Sequence, residues 1–249
     1  MELLELSALF LSRGGWALLN RSCYPSDKAF RSAKSRLLKQ GLVAARSTGG
    51  EAPRLHLTET GQNVIPIYFH PEKRWGRSWN KIWYMLVYDV PEVDRKYRNV
   101  LRQFLKRKHL GQLQQSVWIT PDDIRPDFDD LAQATNIDAF AYLFESRSVL
   151  GLPSRQIVED SWNFEQLRQR QEHFRDVTQK NIALLQSDLH APADISQLLR
   201  ASLSAYHAAM IDDPLLPSAL LPHDYAGKQA HEAHRALLLE IDKQAGCCS

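Results

Sequence analysis

The stretch AFRSAKSRLLKQGLV, residues 29–43, decides how the N-terminal part of the chain is read. Pro25-Ser26 precedes it as a helix start, with Ser26 as N-cap and Asp27 at the positive end of the helix dipole. Phe30, Ala33 and Leu37 then recur at i, i+3 and i+7, a narrow apolar stripe suited to packing. Lys28, Arg31 and Ser35 fall on another face, flanked by Lys34 and Arg36. Gly41 ends the helix as a C′ residue. The spacing predicts a helix over 26–40 that packs on one side and presents cations and a small hydroxyl on the other.

Solvated basic helices are common, and it is the neighbours that make this one specific. Two shorter apolar pieces, Leu3–Leu11 and Trp16–Leu19, come before it, separated by Arg13-Gly14-Gly15. After it, Leu42–Arg46, a turn over Ser47–Gly50 and Arg54–Leu57 read as a hairpin. LTETG, residues 57–61, opens a further short helix. Helix, helix, basic helix and two-stranded wing is the winged helix-turn-helix order, in which the third helix enters the major groove and the wing reaches backbone or minor groove. Residues 1–65 are therefore expected to bind double-stranded operator DNA. Arg31 and Ser35 are expected at base edges, with Lys28, Lys34, Arg36 and the wing residues Arg46 and Arg54 at phosphates. A single winged helix reads few base pairs, so a homodimer is expected.

Charge agrees with a polyanion partner at the front of the chain. Residues 1–125 carry 21 Lys/Arg against 11 Asp/Glu, whereas residues 126–249 carry 10 against 18, which leaves the chain at +2. The opening Met-Glu-Leu-Leu-Glu has the wrong charge for a signal peptide, and Arg13 interrupts the apolar run before it could span a bilayer. Cys23 stands alone and Cys247 and Cys248 are adjacent, which is neither a disulfide framework nor a metal-ligand spacing. A cytoplasmic protein without membrane association is expected.

Residues 66–80, PIYFHPEKRWGRSWN, read as a linker. Trp75, Trp79 and Trp83 recur every four residues within and beyond it, and are read as packing anchors between domains, with base stacking as the other reading because Lys73, Arg74 and Arg77 are near. KIWYMLVYDVP, residues 81–91, is a nearly continuous apolar run and hence a buried strand. Asp94–His109 reads as a basic helix with Tyr97, Leu101, Phe104 and Leu105 inward. LGQLQQSVWIT is a bent strand or tight hairpin, Asp127–Ala134 a short helix, and DAFAYLFES a last strand. This order predicts a ferredoxin-like domain over 81–150.

Residues 151–249 read as a helical domain. The helix around Trp162–Gln186 has Phe164, Leu167, Phe174, Val177, Ile182 and Leu185 as its packing positions. The tract DDPLLPSALLPHDYAGKQA, residues 212–230, has three prolines that forbid a continuous helix and leucines that need burial. It is expected to wrap an apolar surface between the helices that flank it. HEAH, residues 231–234, lacks the four-residue histidine spacing of a zinc protease helix and is read as a solvated face. No phosphate-binding glycine loop, nucleophile elbow or Cys/His pair is evident. The fold class is α+β, and the expected protein is a regulator without cofactor rather than an enzyme.

Tyr88-Asp89-Val90-Pro91, then Arg95, Arg98, Leu101, Gly111 and Gln115-Ser116-Val117-Trp118, resembles the small CRISPR-associated ferredoxin-like nuclease. The resemblance implies an alternative: a metal-dependent nuclease, or a defence-associated DNA-binding component, using Asp89 at the end of the first strand. A lone carboxylate is a poor Mg²⁺ site, and Asp89 also suits capping a turn or pairing with Arg95 or Arg98.

Taken over nearly its whole length, the chain resembles the PaaX-like transcriptional repressors. RGGW at 13–16, FRSAKSRLLKQGLV at 30–43, LTETG, WNKIWYMLVYD at 79–89, VEDSWNFEQLRQRQEHF at 158–174 and the proline–leucine tract at 212–230 carry that resemblance. Pro53-Arg54-Leu55-His56 stands where the family often has an Arg-Arg-aromatic run. The resemblance implies a repressor of phenylacetate catabolism released by an acyl-CoA effector, phenylacetyl-CoA being the best-known case. CoA phosphates need cations, for which Arg95, Arg98 and Arg102, or Arg147, are the candidates, with the acyl end near Leu215–Leu221.

Overall fold

The computed structural model describes residues 27–46, 54–64, 70–135, 137–147, 152–187 and 192–247. The chain divides into two compact units. One gathers Met1–His70, Gln169–Ile211 and Ala226–Ser249; the other gathers Pro71–Arg168 and Asp212–Tyr225.

In the first unit, helix α1 (Asp27–Lys39) leads to strands β1 (Val43–Arg46) and β2 (Arg54–Leu57), then to α2 (Glu59–Val64). The end of α1 is fixed by Gly41, which sits at φ +67°, where a side chain would be strained. Its N–H donates to the Leu38 carbonyl at 3.1 Å, and the Leu42 N–H to the Leu37 carbonyl at 3.0 Å. That is a Schellman closure, and its apolar partners Leu37 and Leu42 are both buried. The strands pair antiparallel with Val43 opposite Leu57 and Arg46 opposite Arg54. Thr58 joins the pieces: its hydroxyl donates to the Gly41 carbonyl at 2.6 Å and accepts the Gly61 N–H at 3.0 Å. Residues 1–26, where the two preceding helices were expected, and the 47–53 turn lie outside the described residues.

The helices α7 (Phe164–Ser187), α8 (Pro192–Met210) and α9 (Gly227–Cys247) complete this unit from Gln169 onward. The buried line on α7 runs Leu167, Gln171, Phe174, Thr178 and Leu185. Val177, expected to pack, is 41% exposed. The 3.6-residue period aligns Phe174 with the polar Gln171 and Thr178 and turns Val177 aside.

The second unit is built on a four-stranded antiparallel sheet. Its elements are α3 (Glu72–Trp75), β3 (Trp83–Tyr88), α4 (Arg95–Arg107), β4 (Gly111–Gln114), β5 (Val117–Thr120), α5 (Arg125–Thr135), β6 (Ala141–Ser146) and α6 (Ser154–Ser161). The spatial order β4-β5-β3-β6 is that of a ferredoxin-like split βαβ pair. LGQLQQSVWIT resolves into a tight hairpin turning at Gln115-Ser116.

Strand β3 is apolar throughout because both of its faces are covered. Tyr84, Leu86 and Tyr88 pack against Leu101, Phe104 and Leu105 of α4 and Phe128 of α5. On the other face Trp83 and Ile119 pack against Ile157 and Val158 of α6 and against Leu216 and Leu220 of the proline–leucine tract. The tract wraps an apolar surface, and that surface is the sheet. Burial of each leucine contributes roughly 1.5–3 kcal/mol. Trp75 and Trp83 are buried within this unit and Trp79 stacks edge-on against Trp83 at 5.1 Å, so these rings are core rather than base-stacking platforms or domain spacers.

Gly111 gives α6 its seat on the sheet. A Cβ there would stand 2.6 Å from the Trp162 ring and 2.7 Å from the Ser161 Cβ. The indole is pinned over the glycine by its N–H, which donates to the His109 carbonyl at 3.0 Å. Gly111→Ala is therefore expected to cost about 1–3 kcal/mol through displacement of Trp162. A denaturant titration checks this; an unchanged midpoint would show that the contact yields freely.

Candidate nucleic-acid interface and interior sites

Helix α1 sets its cations by angle. At about 100° per residue, Lys28, Arg31 and Ser35 share one face, and Leu37 lies on the opposite side. Leu37 is 2% exposed, whereas Lys28, Arg31, Ser35 and Arg36 are exposed and Lys34 is half-buried. The packing of one leucine thus turns the charged side outward. The strand register sets Arg46 opposite Arg54 at the turn end of the hairpin. The structure therefore gathers the seven expected DNA-contact residues onto one helix and the hairpin that follows it.

The other sequence-derived candidates do not converge. Arg95, Arg98 and Arg102 lie on α4, whose apolar side packs on one face of the sheet. Leu216 and Leu220 are buried on the opposite face, so the sheet separates these cations from the tract expected to take an acyl group. Arg98 is engaged at home, donating to Glu92 at 2.8 Å and to the Val90 carbonyl at 2.7 Å. Arg147 is exposed just beyond β6. Asp89 is exposed at the end of β3, where its backbone N–H donates to the Phe140 carbonyl at 2.9 Å. Among the described residues no group of three His, Cys, Asp or Glu side chains is placed to hold a metal ion, and no helix is long and apolar enough to cross a membrane.

Two polar constellations escaped the sequence reading. In the sheet unit, Asp122 accepts from Arg77 at 2.9 and 3.1 Å and also from Arg74. Arg77 further donates to the Leu215 carbonyl at 2.6 Å, which ties the proline–leucine tract to the start of the unit. Burial pulls the Arg77 guanidinium below its ordinary pKa, with Asp122 opposing that shift. These residues are some 45 to 140 positions apart, so no local pattern announces them.

The second constellation corrects the reading of HEAH. His231 and His234 are 4% and 3% exposed, in the interior of the helical unit rather than on a solvated face. Residues three apart on a helix share a side, and here that side is the packed one. Tyr206 of α8 approaches His231 Nδ1 at 2.6 Å and stacks on the His234 ring at 4.0 Å and 6°. Phe174 of α7 packs against Tyr206 at 5.5 Å.

Burial pushes His234 down to about 3, against about 6.5 for an unperturbed imidazole. As pH falls the unfolded chain takes up this proton first, so the neutral ring contributes stability fully above about pH 6.5 and loses it progressively toward pH 3. The denaturation midpoint is expected to fall through that window. His234→Phe, which keeps a ring against Tyr206, should flatten the fall; identical slopes for both proteins would refute the assignment.

Two family models match the chain. Residues 76–158 match the PaaX protein central Cas2-like domain, and residues 162–247 match the PaaX-like protein C-terminal domain. No curated protein matches. Among solved structures, the chain is similar to the uncharacterized protein Rv0674 from Mycobacterium tuberculosis, at 17% identity and a TM-score of 0.58 over 97% of this chain and 96% of that one. At that identity the likeness is one of fold.

Proposed function

Because this chain belongs to the PaaX-like family, we propose that it is a transcriptional repressor that binds duplex DNA through a winged helix spanning residues 1–65. The observation that carries this reading is the outward cationic side of α1, set by the buried Leu37, next to a hairpin with Arg46 and Arg54 in facing register. Arg31 and Ser35 read base edges, while Lys28, Lys34, Arg36, Arg46 and Arg54 neutralise phosphates. The central and helical regions serve assembly and effector response and do no chemistry. Asp89 is exposed and belongs to no group of three potential metal ligands among the described residues, and in this reading it is not used for cleavage.

Fluorescence anisotropy with duplexes from the protein's own locus and with scrambled duplexes tests this. Arg31→Ala should cost about 1–3 kcal/mol on the specific duplex and narrow the gap to the scrambled one. Arg46→Ala should weaken both duplexes alike and lower the salt slope by about one. Equal, salt-insensitive affinities for wild type and both variants would reject the interface.

The repressor acts as a homodimer paired through the central domain, so that two winged helices meet two half-sites. Light scattering at micromolar concentration should give twice the 28.5 kDa chain mass; a monomer would remove the pairing argument. DNA is released by an acyl-CoA effector, with phenylacetyl-CoA the leading case and Arg95, Arg98, Arg102 or Arg147 the candidate phosphate contacts. Leu215, Leu216 and Leu220 of the tract expected near the acyl end are buried in the packing. Release requires the effector to favour the non-binding state, since equal affinity for both states shifts nothing.

A further inference from the structure

Helix α4 reads RKYRNVLRQFLKR, six cations and no acid. Packing sorts them by angle. Leu101, Phe104 and Leu105 are buried against the sheet. At about 100° per residue, the opposite side carries Arg95, Arg102 and Lys106 in one row and Lys96 and Arg107 in another. Asn99 and Gln103 lie between the rows, and all seven of these residues are exposed.

Neutralisation is confined to the edges of this face. Arg98 is held by Glu92, and Lys108, just past the helix, by Asp127. The five cations of the two rows make no ion pair among the described residues. The helix dipole accounts for two of them, because Lys106 and Arg107 stand in the last turn, at its negative end. Arg95 and Lys96 stand in the first turn, where acids are favoured and α4 has none. They add to the positive field of the first N–H groups, which suits an anion.

What the face lacks narrows the partner. A membrane-surface helix needs an apolar side for the lipid, and the apolar side of α4 is in the core. Val93, 91% exposed before the helix, is a single apolar group. Single strands are held on aromatic stacking platforms, whereas Tyr97 packs on Phe140 at 5.4 Å and Phe104 is buried. What is left is charge in a line. From Arg95 to Lys106 the row runs about 16 Å at 1.5 Å per residue, over which one strand of a duplex presents about five phosphates.

We propose that the outward face of α4 is a second duplex-binding surface, one that contacts backbone phosphates and reads no bases. It adds affinity on every sequence, while discrimination stays with α1. The choice of DNA as the polyanion rests on the repressor reading above; the cationic face stands on α4 itself.

Anisotropy titrations of the full chain over a salt series, without acyl-CoA, test this on the locus duplex and its scrambled counterpart. Arg95→Gln, Arg102→Gln and Lys106→Gln combined replace only outward side chains and should leave the melting curve intact. The triple variant should lower the salt slope by about two to three on both duplexes and keep the ratio of the two affinities. Arg95→Lys with Arg102→Lys, which keeps the charge, should retain the slope. Arg155→Gln, Lys180→Gln and Lys228→Gln combined remove equal charge from exposed positions elsewhere and should also retain it. An unchanged slope in the α4 triple, or equal losses in both triples, would overturn the surface. Tighter binding of single-stranded DNA or of phosphatidylserine vesicles than of either duplex would do the same. If both duplexes bind alike while the slope still follows α4, the winged-helix reading fails and this surface stands. A wild type that binds no duplex at low salt removes both.

Discussion

A single buried hydrogen-bond chain holds the sheet unit together across long sequence distance. Tyr225 donates its hydroxyl proton to Asp213 at 2.5 Å and accepts the Trp75 indole N–H at 3.1 Å, while Asp213 also accepts the Leu215 N–H at 2.8 Å. Asp213 is 2% exposed, and a carboxylate so placed is tolerable only because each oxygen has a donor. Leu215 sits at φ +46°, an unfavourable setting for a branched side chain, and is held there from both sides by its N–H bond to Asp213 and its carbonyl bond from Arg77. With the backbone so fixed, Leu216 and Leu220 are delivered to Trp83 and Ile119. Without the clamp the second face of β3 keeps only the cover of α6.

That dependence explains the composition of β3. A strand with one wet face alternates, whereas a strand covered on both sides reads as continuous apolar sequence. The run WYMLVY is continuous because α4 and α5 cover one face and α6 with the proline–leucine tract cover the other. The three prolines serve this arrangement by keeping the tract extended enough to lie along the sheet.

The helical unit handles polarity differently. Gln171 and Thr178 occupy buried positions on α7, and the Gln171 side-chain amide donates to the Met210 sulfur of α8 at 3.6 Å. His231 and His234 fill interior space against Tyr206, the His234 ring stacked on the phenol and kept neutral by burial. Such a core is polar enough to need specific partners and loose enough, along Ala201, Ala205, Ala208 and Ala209 of α8, to leave a groove against α7. The family matches place the sheet unit and this helical unit among PaaX-like proteins.

Much of the architecture was legible because local chemistry dictates it. The basic helix, its Gly41 stop, the facing hairpin strands and the β-α-β-β-α-β order all follow from periodicity, turn residues and strand length, which act over a few residues. Leu37, Leu101, Phe104 and Leu105 were placed correctly as inward positions for the same reason. What the tertiary structure alone decided involves partners distant in the chain. Whether the proline–leucine tract covers helices or a sheet, whether His231 and His234 face water or a tyrosine, and whether Val177 packs or faces out depend on which surface lies opposite. A sequence states that a leucine must be buried and that a histidine lies on the same helical side as its neighbour three residues on; the identity of the surface that receives them is a property of the folded chain.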